Sequence, residues 1–479
     1  MGLPILGNLL WLKGLKRKGI KQYQALFEAS KTYGDIVSIK VLGQRFVFLH
    51  GYETIREAFV KNGDVFSNRP SWLKGLKEAI KEGKGVIWQS GNDWKVLWKF
   101  VLQTLREFGV GKTSLEQKIM REVDAANDVL YATNGSQGNM FRVIMDLFIA
   151  GSETTSNTIN WCILYMQEYP DIQKKCQDEI FEGNKRRENR MRTQKWIKEH
   201  IYGEISNHES TFDNENIRDF IDLYLQAKIQ HSDENIFNKG NMFRVIMDLF
   251  IAGSETTSNT INWCILYMQE YPDIQKKCQE EIFEKCGDKV VTWADRSSLP
   301  YIEATLLEIQ RMANKAPMSV PHTTEVDFSP AHVINITTRT VFFSPFNPIL
   351  APASLPHTTD VDVTFGGYFI PRRTLIIANL YSSNMDPRHW DQPEIFNPER
   401  FMEGGKLKKN PALIPFSIGP RMCLGESLAK MEMFLIFTNL LQRFTFCRED
   451  DNVKHSFENI LEQGTSAPKP YKTRAVKRA

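Results

Sequence analysis

Ten residues, FSIGPRMCLG from Phe416 to Gly425, constrain this chain more than any other stretch. They carry one cysteine, Cys423, on a glycine-hinged loop just before ESLAKMEMFLIFTNLL, which reads as an amphipathic helix. The first turn of a helix has free N–H groups and a partial positive charge, and both stabilise a thiolate. A thiolate in that place is a candidate metal ligand. Gly419 and Gly425 let backbone approach a flat partner with no Cβ in the way. Arg421, two residues before the sulfur, can reach an acidic group at the edge of that partner. Phe416 can shield the site from water. The bland alternative is a structural cysteine in a loop. Five residues at fixed spacing are a poor match for chance.

The strongest organisational signal is an internal repeat. Residues 138–182 recur at 240–284 with one difference, Asp178 against Glu280. A solenoid needs several short tandem units, so this reads instead as a duplicated segment. A smaller echo, 316–327 against 351–362, brackets a stretch at 328–350 that reads as an insertion. Without the duplicate, the 479 residues suit one large domain spanning 1–479. A net charge of +3 argues against a nucleic-acid partner. Seven cysteines lack disulfide or zinc spacing, and four of them (Cys162, Cys176, Cys264, Cys278) are copies of two. A reducing, cytosol-facing environment fits. The opening apolar run is too short for a bilayer, and its basic residues follow it, unlike those of a secretory signal.

Periodicity predicts a mainly α fold with a small β-sheet portion. Helices are expected at 21–33, 52–62, 91–108, 115–131, 197–210, 216–229, 300–313 and 424–444. Residues 37–50 alternate around a Gly-Gln turn and read as a hairpin, and 361–381 read as strand, a Gly366-Gly367 turn, then more strand. Within the repeat, Gly253 costs a helix roughly 1 kcal/mol relative to Ala and so needs a reason. Thr256 lies four residues after Ala252, and its hydroxyl can bond that carbonyl or another ligand. Glu308 and Arg311, three apart, share a helix face, most often as a solvated pair. Cys447 has no special setting and reads as structural.

The pattern Phe-x-x-Gly-x-Arg-x-Cys-x-Gly resembles the haem-binding loop of the cytochrome P450 superfamily at every fixed position. The resemblance runs from Gly2 to the PKPYK near the C-terminus and is nearest the microsomal family 2 type. It implies a P450 fold, haem b as cofactor and Cys423 as its axial thiolate. It also implies Arg421, Trp94, Phe416 and Gly419 as cofactor-binding residues. Ala252–Thr257 resembles the oxygen-binding segment of the family's long central helix, with Glu255 and Thr256 as its proton-delivery pair. The copy at 138–182 offers Glu153 and Thr154 instead. The downstream sequence favours the second copy as the central helix, which leaves the first displaced and part of the substrate roof missing. Glu308, Arg311 and Arg400 correspond to a buried Glu-Arg-Arg cluster behind the haem. His322 or His357 corresponds to a propionate contact. One departure stands out: the family's Trp-x-x-x-Arg reads Trp94-x-x-x-Trp98 here, with Lys99 beside it.

By the same resemblance the activity is insertion of one oxygen atom from O2 into a small lipophilic substrate. Electrons would come from an NADPH-dependent flavoprotein reductase, because the chain has no flavin or nicotinamide fingerprint of its own. Basic residues at Lys13–Lys21 and Lys406–Lys409 could meet such a partner. Walls of a substrate pocket are expected at 71–88, at 458–467 and near Val320 or Leu355. The expected location is the cytosolic face of the endoplasmic reticulum membrane. The chain starts within the hinge that follows the family's anchor helix, so membrane association rests on resemblance alone. The competing reading is a haem-binding remnant without turnover, or a chain whose duplicated core helix prevents folding.

Overall fold

The structure, a computed structural model, describes residues 8, 11, 14–15, 21–41, 44–70, 83–109, 113–132, 186–231, 236–313, 357–359, 361–462 and 465–478. The first repeat copy and the stretch at 328–350 lie outside the described residues, as do Glu153, Thr154, Val320, His322 and Leu355.

Helix α1 (Gln22–Tyr33) ends at Gly34 and feeds the hairpin β1 (Ile36–Val41) and β2 (Gln44–Leu49). The strands pair antiparallel from Ile36↔Leu49 to Val41↔Gln44, as the alternation predicts. Helix α2 (Tyr52–Arg56) passes into a π turn at Glu57–Lys61, where periodicity predicted one uninterrupted helix. Such turns often mark functional sites.

After single helical turns at Gly63–Phe66 and Gly85–Trp88, seven longer helices follow among the described residues: α3 (Gly91–Glu107), α4 (Thr113–Ala132), α5 (Arg186–Thr211), α6 (Phe220–Gln230), α7 (Lys239–Glu270), α8 (Pro272–Cys286) and α9 (Pro300–Met312). Helix α6 begins later than the expected residue 216, because the Asp219 carboxylate accepts the N–H groups of Ile221 and Asp222 as its N-cap. Helices α8 and α9 each open on proline, which supplies a helical φ and lacks the N–H that would be orphaned there.

Strands β3 (His357–Thr358), β4 (Val363–Phe365), β5 (Tyr368–Ile370) and β6 (Leu375–Ala378) come next. Strand β6 lies parallel to β2 and completes a sheet of order β1-β2-β6-β3. The β4–β5 hairpin turns at Gly366 and Gly367, both at positive φ, which is why glycine occupies both positions. Then come α10 (Leu380–Asn384), the pair β7 (Met402–Glu403) and β8 (Lys406–Leu407), and α11 (Glu426–Arg443). Four short strands follow: β9 (Phe444–Arg448), β10 (Asn459–Glu462), β11 (Thr465–Pro468) and β12 (Thr473–Lys477).

Two apolar cores determine where a site can form. One gathers α8, α9, α11 and the second half of α7, from Ile261 to Met268. The other gathers α3, α5, α6 and the first half of α7, with Met242, Val245 and Ile246. Helix α7, at 32 residues, is therefore clamped at both ends. Its midsection belongs to neither core: Phe250, Ala252 and Thr256 are half-buried and Gly253 is exposed. Helix α11 departs from the expected amphipathic pattern. Met431 and every residue from Met433 to Leu441 are buried, so nearly its whole circumference is packed. No helix among the described residues is long and apolar enough to cross a membrane.

Candidate functional site

The cysteine loop spans the gap between the two cores. Phe416 at its start packs on the first, and Leu424 at its end packs on the second. Between them the backbone folds on itself: the N–H of Cys423 donates to the Phe416 carbonyl at 3.0 Å, and that of Met422 donates to Gly419 at 3.0 Å. Gly419 has φ +85°, and a Cβ there would land on the carbonyl of Phe59 in the π turn. Its glycine is thus demanded by protein backbone, a different reason from the flat partner expected in the sequence. Gly425 does match that expectation, because a Cβ there would meet nothing within 4 Å. The same is true of Gly253 on α7.

Cys423 is half-exposed, yet its surroundings bury it enough to push the thiol up to about 11. The Gly425 N–H donates to the sulfur and pulls the other way, as helix-start geometry suggested, but desolvation wins. In the absence of a metal charge the thiol is therefore neutral at pH 7. On α7, the Thr256 hydroxyl donates to the Ala252 carbonyl at 2.7 Å, the first of its two available bonds. The backbone of Glu255 lies on the same helix.

A basic cluster closes one end of the site. The Arg421 guanidinium lies 3.8 Å from the centroid of the Trp94 ring and donates to the carbonyls of Ser67 at 2.8 Å and Gln89 at 2.5 Å. Burial, followed by repulsion from Arg69, pulls its pKa down to about 7. Among the described residues no carboxylate pairs with it. Arg69 is buried and drawn down to about 9 by desolvation. His357 is held well below the usual histidine range by burial first and Arg69 second. Its Nδ1 contacts the Phe66 carbonyl at 2.6 Å, and its ring stacks on Phe59. Arg69 thus acts on both Arg421 and His357, and two guanidinium groups in a desolvated corner form a receptacle for an anion. Trp98 tilts against Trp94 at 6.1 Å and adds no charge, while Lys99 points to solvent. Arg69 went unremarked in the sequence, where nothing distinguishes one arginine before a proline.

The Glu308 cluster is assembled as the resemblance implied, and it is not the solvated helix pair that spacing alone suggests. Arg311 donates to both Glu308 oxygens, at 2.7 and 2.8 Å, and Arg400 Nε reaches Oε1 at 3.0 Å. Glu308 and Arg311 are completely buried. The spare donors go to the carbonyls of Asn384, Pro393, Asp391 and Ile395, so backbone dipoles hold the positive charge that the single carboxylate leaves over. Among the described residues, His208, Asp219 and Asp222 form the one trio close enough to hold a metal ion. Their atoms are already engaged: Asp219 caps α6, Asp222 takes Arg218 on both oxygens, and His208 bonds Glu204 and Asp219.

A cysteine loop held between two apolar cores, with Arg421, Arg69 and His357 gathered beside it, suits a metalloporphyrin bearing carboxylates. The family model of Cytochrome P450 matches residues 1–144, 136–195, 183–330 and 347–475. The chain belongs to the cytochrome P450 family. It is 33% identical over 473 residues to cytochrome P450 2J1 of Oryctolagus cuniculus, covering 93% of this chain and 84% of that one. It is 32% identical over 448 residues to cytochrome P450 2J2 of Homo sapiens, covering 89% and 82%. It is 31% identical over 471 residues to cytochrome P450 2U1 of Bos taurus, covering 92% and 78%. As a P450 the protein is an oxidoreductase of the haem-thiolate monooxygenase type, with haem as cofactor. A redox partner, O2 and a lipophilic substrate follow for this P450 in general terms.

Proposed function

We propose that Cys423 ligates the haem iron and that this P450 hydroxylates a small lipophilic organic substrate. The observation that carries the reading is the setting of Cys423: half-buried, on a loop held between two cores and just before Gly425, where a Cβ would meet no neighbour. Bound haem supplies the iron at which O2 is reduced and one of its atoms is transferred to a substrate bond. The protein does the rest. Arg421, stacked on Trp94 and with no carboxylate partner among the described residues, would take a propionate, with Arg69 and His357 alongside. Phe416 covers the sulfur side. Gly419 lets the loop pass close to Phe59, which keeps Cys423 in place. Thr256 holds a hydroxyl proton at the Ala252 carbonyl, ready to exchange that bond for one to a bound ligand, and Glu255 is its companion in proton delivery.

On this reading 1–479 is one P450 domain, 138–182 is a duplicate of 240–284, and 328–350 is an insertion. The gap in the family match between 330 and 347 falls within that insertion and supports it. Electrons come from NADPH through a flavoprotein reductase. The location is the endoplasmic reticulum membrane, following the relatives.

The test is the absorption spectrum of the reduced protein under carbon monoxide. A thiolate-type Soret band in the parent, lost in Cys423→Ala, is the expected result. An identical spectrum after that substitution would remove the assignment.

A further inference from the structure

Four consecutive residues before Met422 and Cys423 each rest on one distant stretch of chain. Ile418 packs against the apolar cluster that holds Ala58, Phe59 and Phe66. Gly419 runs against the π turn, where a Cβ would land on the Phe59 carbonyl. Pro420 lies over Gly63, where a Cβ would come within 2.8 Å of its Cδ and 2.9 Å of its Cγ. Arg421 Nε donates to the Ser67 carbonyl at 2.8 Å. The two segments meet around one small pocket. The loop backbone is bent to make this fit. Ser417 has φ +59° and Gly419 has φ +85°, so two left-handed residues flank Ile418 and turn it towards the cluster. A left-handed φ is unfavourable for serine and persists only where the surroundings enforce it. On the opposing segment, the π turn at Glu57–Lys61 is the irregular part of a helical stretch, and it carries the Phe59 that Gly419 meets.

The loop carries a displacement at this seat to the sulfur. The Cys423 N–H donates to the Phe416 carbonyl and the Met422 N–H to that of Gly419, so 416–423 is closed on itself. We propose that Pro420 is a positioning residue for Cys423: seated on Gly63 beside the π turn, it holds the sulfur within the roughly 0.5 Å that a metal ligand tolerates. This rests on the haem-thiolate reading above. Proline suits the task because its ring fixes φ and cannot swing aside without moving the backbone. A methyl group at Gly63 would have to drive that ring from 2.8 Å out to the 3.4 Å of ordinary contact, and the loop would follow. Gly63 is not left-handed, so alanine there meets the ring without straining its own backbone.

The test is a double-variant cycle on the full-length, haem-loaded protein, read in the reduced spectrum under carbon monoxide. Gly63→Ala should lower the ratio of thiolate-type to thiolate-free Soret absorbance by about 5-fold or more, as overpacking does. Combining Gly63→Ala with Pro420→Ala should return the ratio to that of Pro420→Ala alone, because the ring that the methyl group meets is gone. An unchanged ratio in Gly63→Ala, or a loss that persists in the double variant, overturns the proposal. Hydrogen exchange of the Met422 and Cys423 amides is the second readout. It should quicken in Gly63→Ala, and by about 3-fold in Pro420→Ala, where a freed φ loosens the seat. Unchanged exchange in Pro420→Ala overturns the proposal, whether or not the Gly63 variants fold. Absence of the thiolate band in the parent sinks the haem assignment, while exchange still decides whether Pro420 holds Cys423.

Discussion

At Glu308 four hydrogen bonds meet on two oxygens, one of them from the Asn397 N–H, and the residue is entirely buried. Removing one partner of such a cluster leaves the others charged and unpaired in a desolvated place, which costs about 3–5 kcal/mol. Glu308→Ala is therefore expected to lose most of its folded population and all haem incorporation, read from urea melts and the ratio of Soret to protein absorbance. A variant with normal haem content would show that the arginines find other partners. Trp98 gives the opposite expectation. It lies beside Trp94, whose face Arg421 covers, so Trp98→Arg adds a cation to the anion receptacle. Haem should dissociate more slowly to a scavenging apoprotein, and an unchanged rate would mean that Arg69 already fills the role. At this scale the sequence was legible where spacing carried chemistry. Arg421 is stacked on Trp94, and Thr256 bonds Ala252 as its spacing allowed. Arg69 was not legible, because one arginine has no pattern and burial alone makes it unusual.

Among the elements, α7 carries the greatest tension. Both its ends are anchored in apolar cores, and its middle faces open space. Gly253 weakens the helix there although no neighbour requires its small size. Gly253→Ala should therefore stabilise the fold by about 1 kcal/mol in thermal or urea unfolding. The same methyl group would narrow that space, so haem or substrate affinity should fall as stability rises. A destabilised variant would show that the open space seen here is otherwise filled. Helix existence was readable from periodicity for α1, α3, α6 and α9, and both hairpins were readable from alternation and glycine turns. The start of α6 was misjudged because a side-chain cap at Asp219 ended the preceding loop. The π turn was missed because it leaves no periodic trace over five residues. Helix α11 looked amphipathic because glutamate, threonine and asparagine interrupt its apolar residues, yet packing from both sides buries them as well.

For the molecule as a whole, two expectations concern the repeat and pH. On the proposed reading the second repeat copy supplies the central helix, as α7, so Thr256→Ala should reduce product formation by roughly 100-fold, while Thr154→Ala leaves it unchanged. The reverse outcome in turnover assays would exchange the two copies. His50 is completely buried and desolvation depresses its pKa to about 3, so it is neutral in the folded state and basic when unfolded. Its contribution is fully present above pH 6.5. As pH falls from 6.5 towards 3 the unfolded chain binds a proton the folded one refuses, and stability drops by about 1.4 kcal/mol per unit. Unfolding midpoints measured across that window should show this slope, and His50→Gln should flatten it. The amino-acid order by itself determined the family, the helical class and the partners in the Glu308 cluster, because each is encoded in spacing along short segments. Only tertiary structure decided that burial pushes the Cys423 thiol up and that three distant basic residues converge on one corner. Desolvation and mutual approach create those properties, and both depend on what surrounds a residue and not on what precedes it.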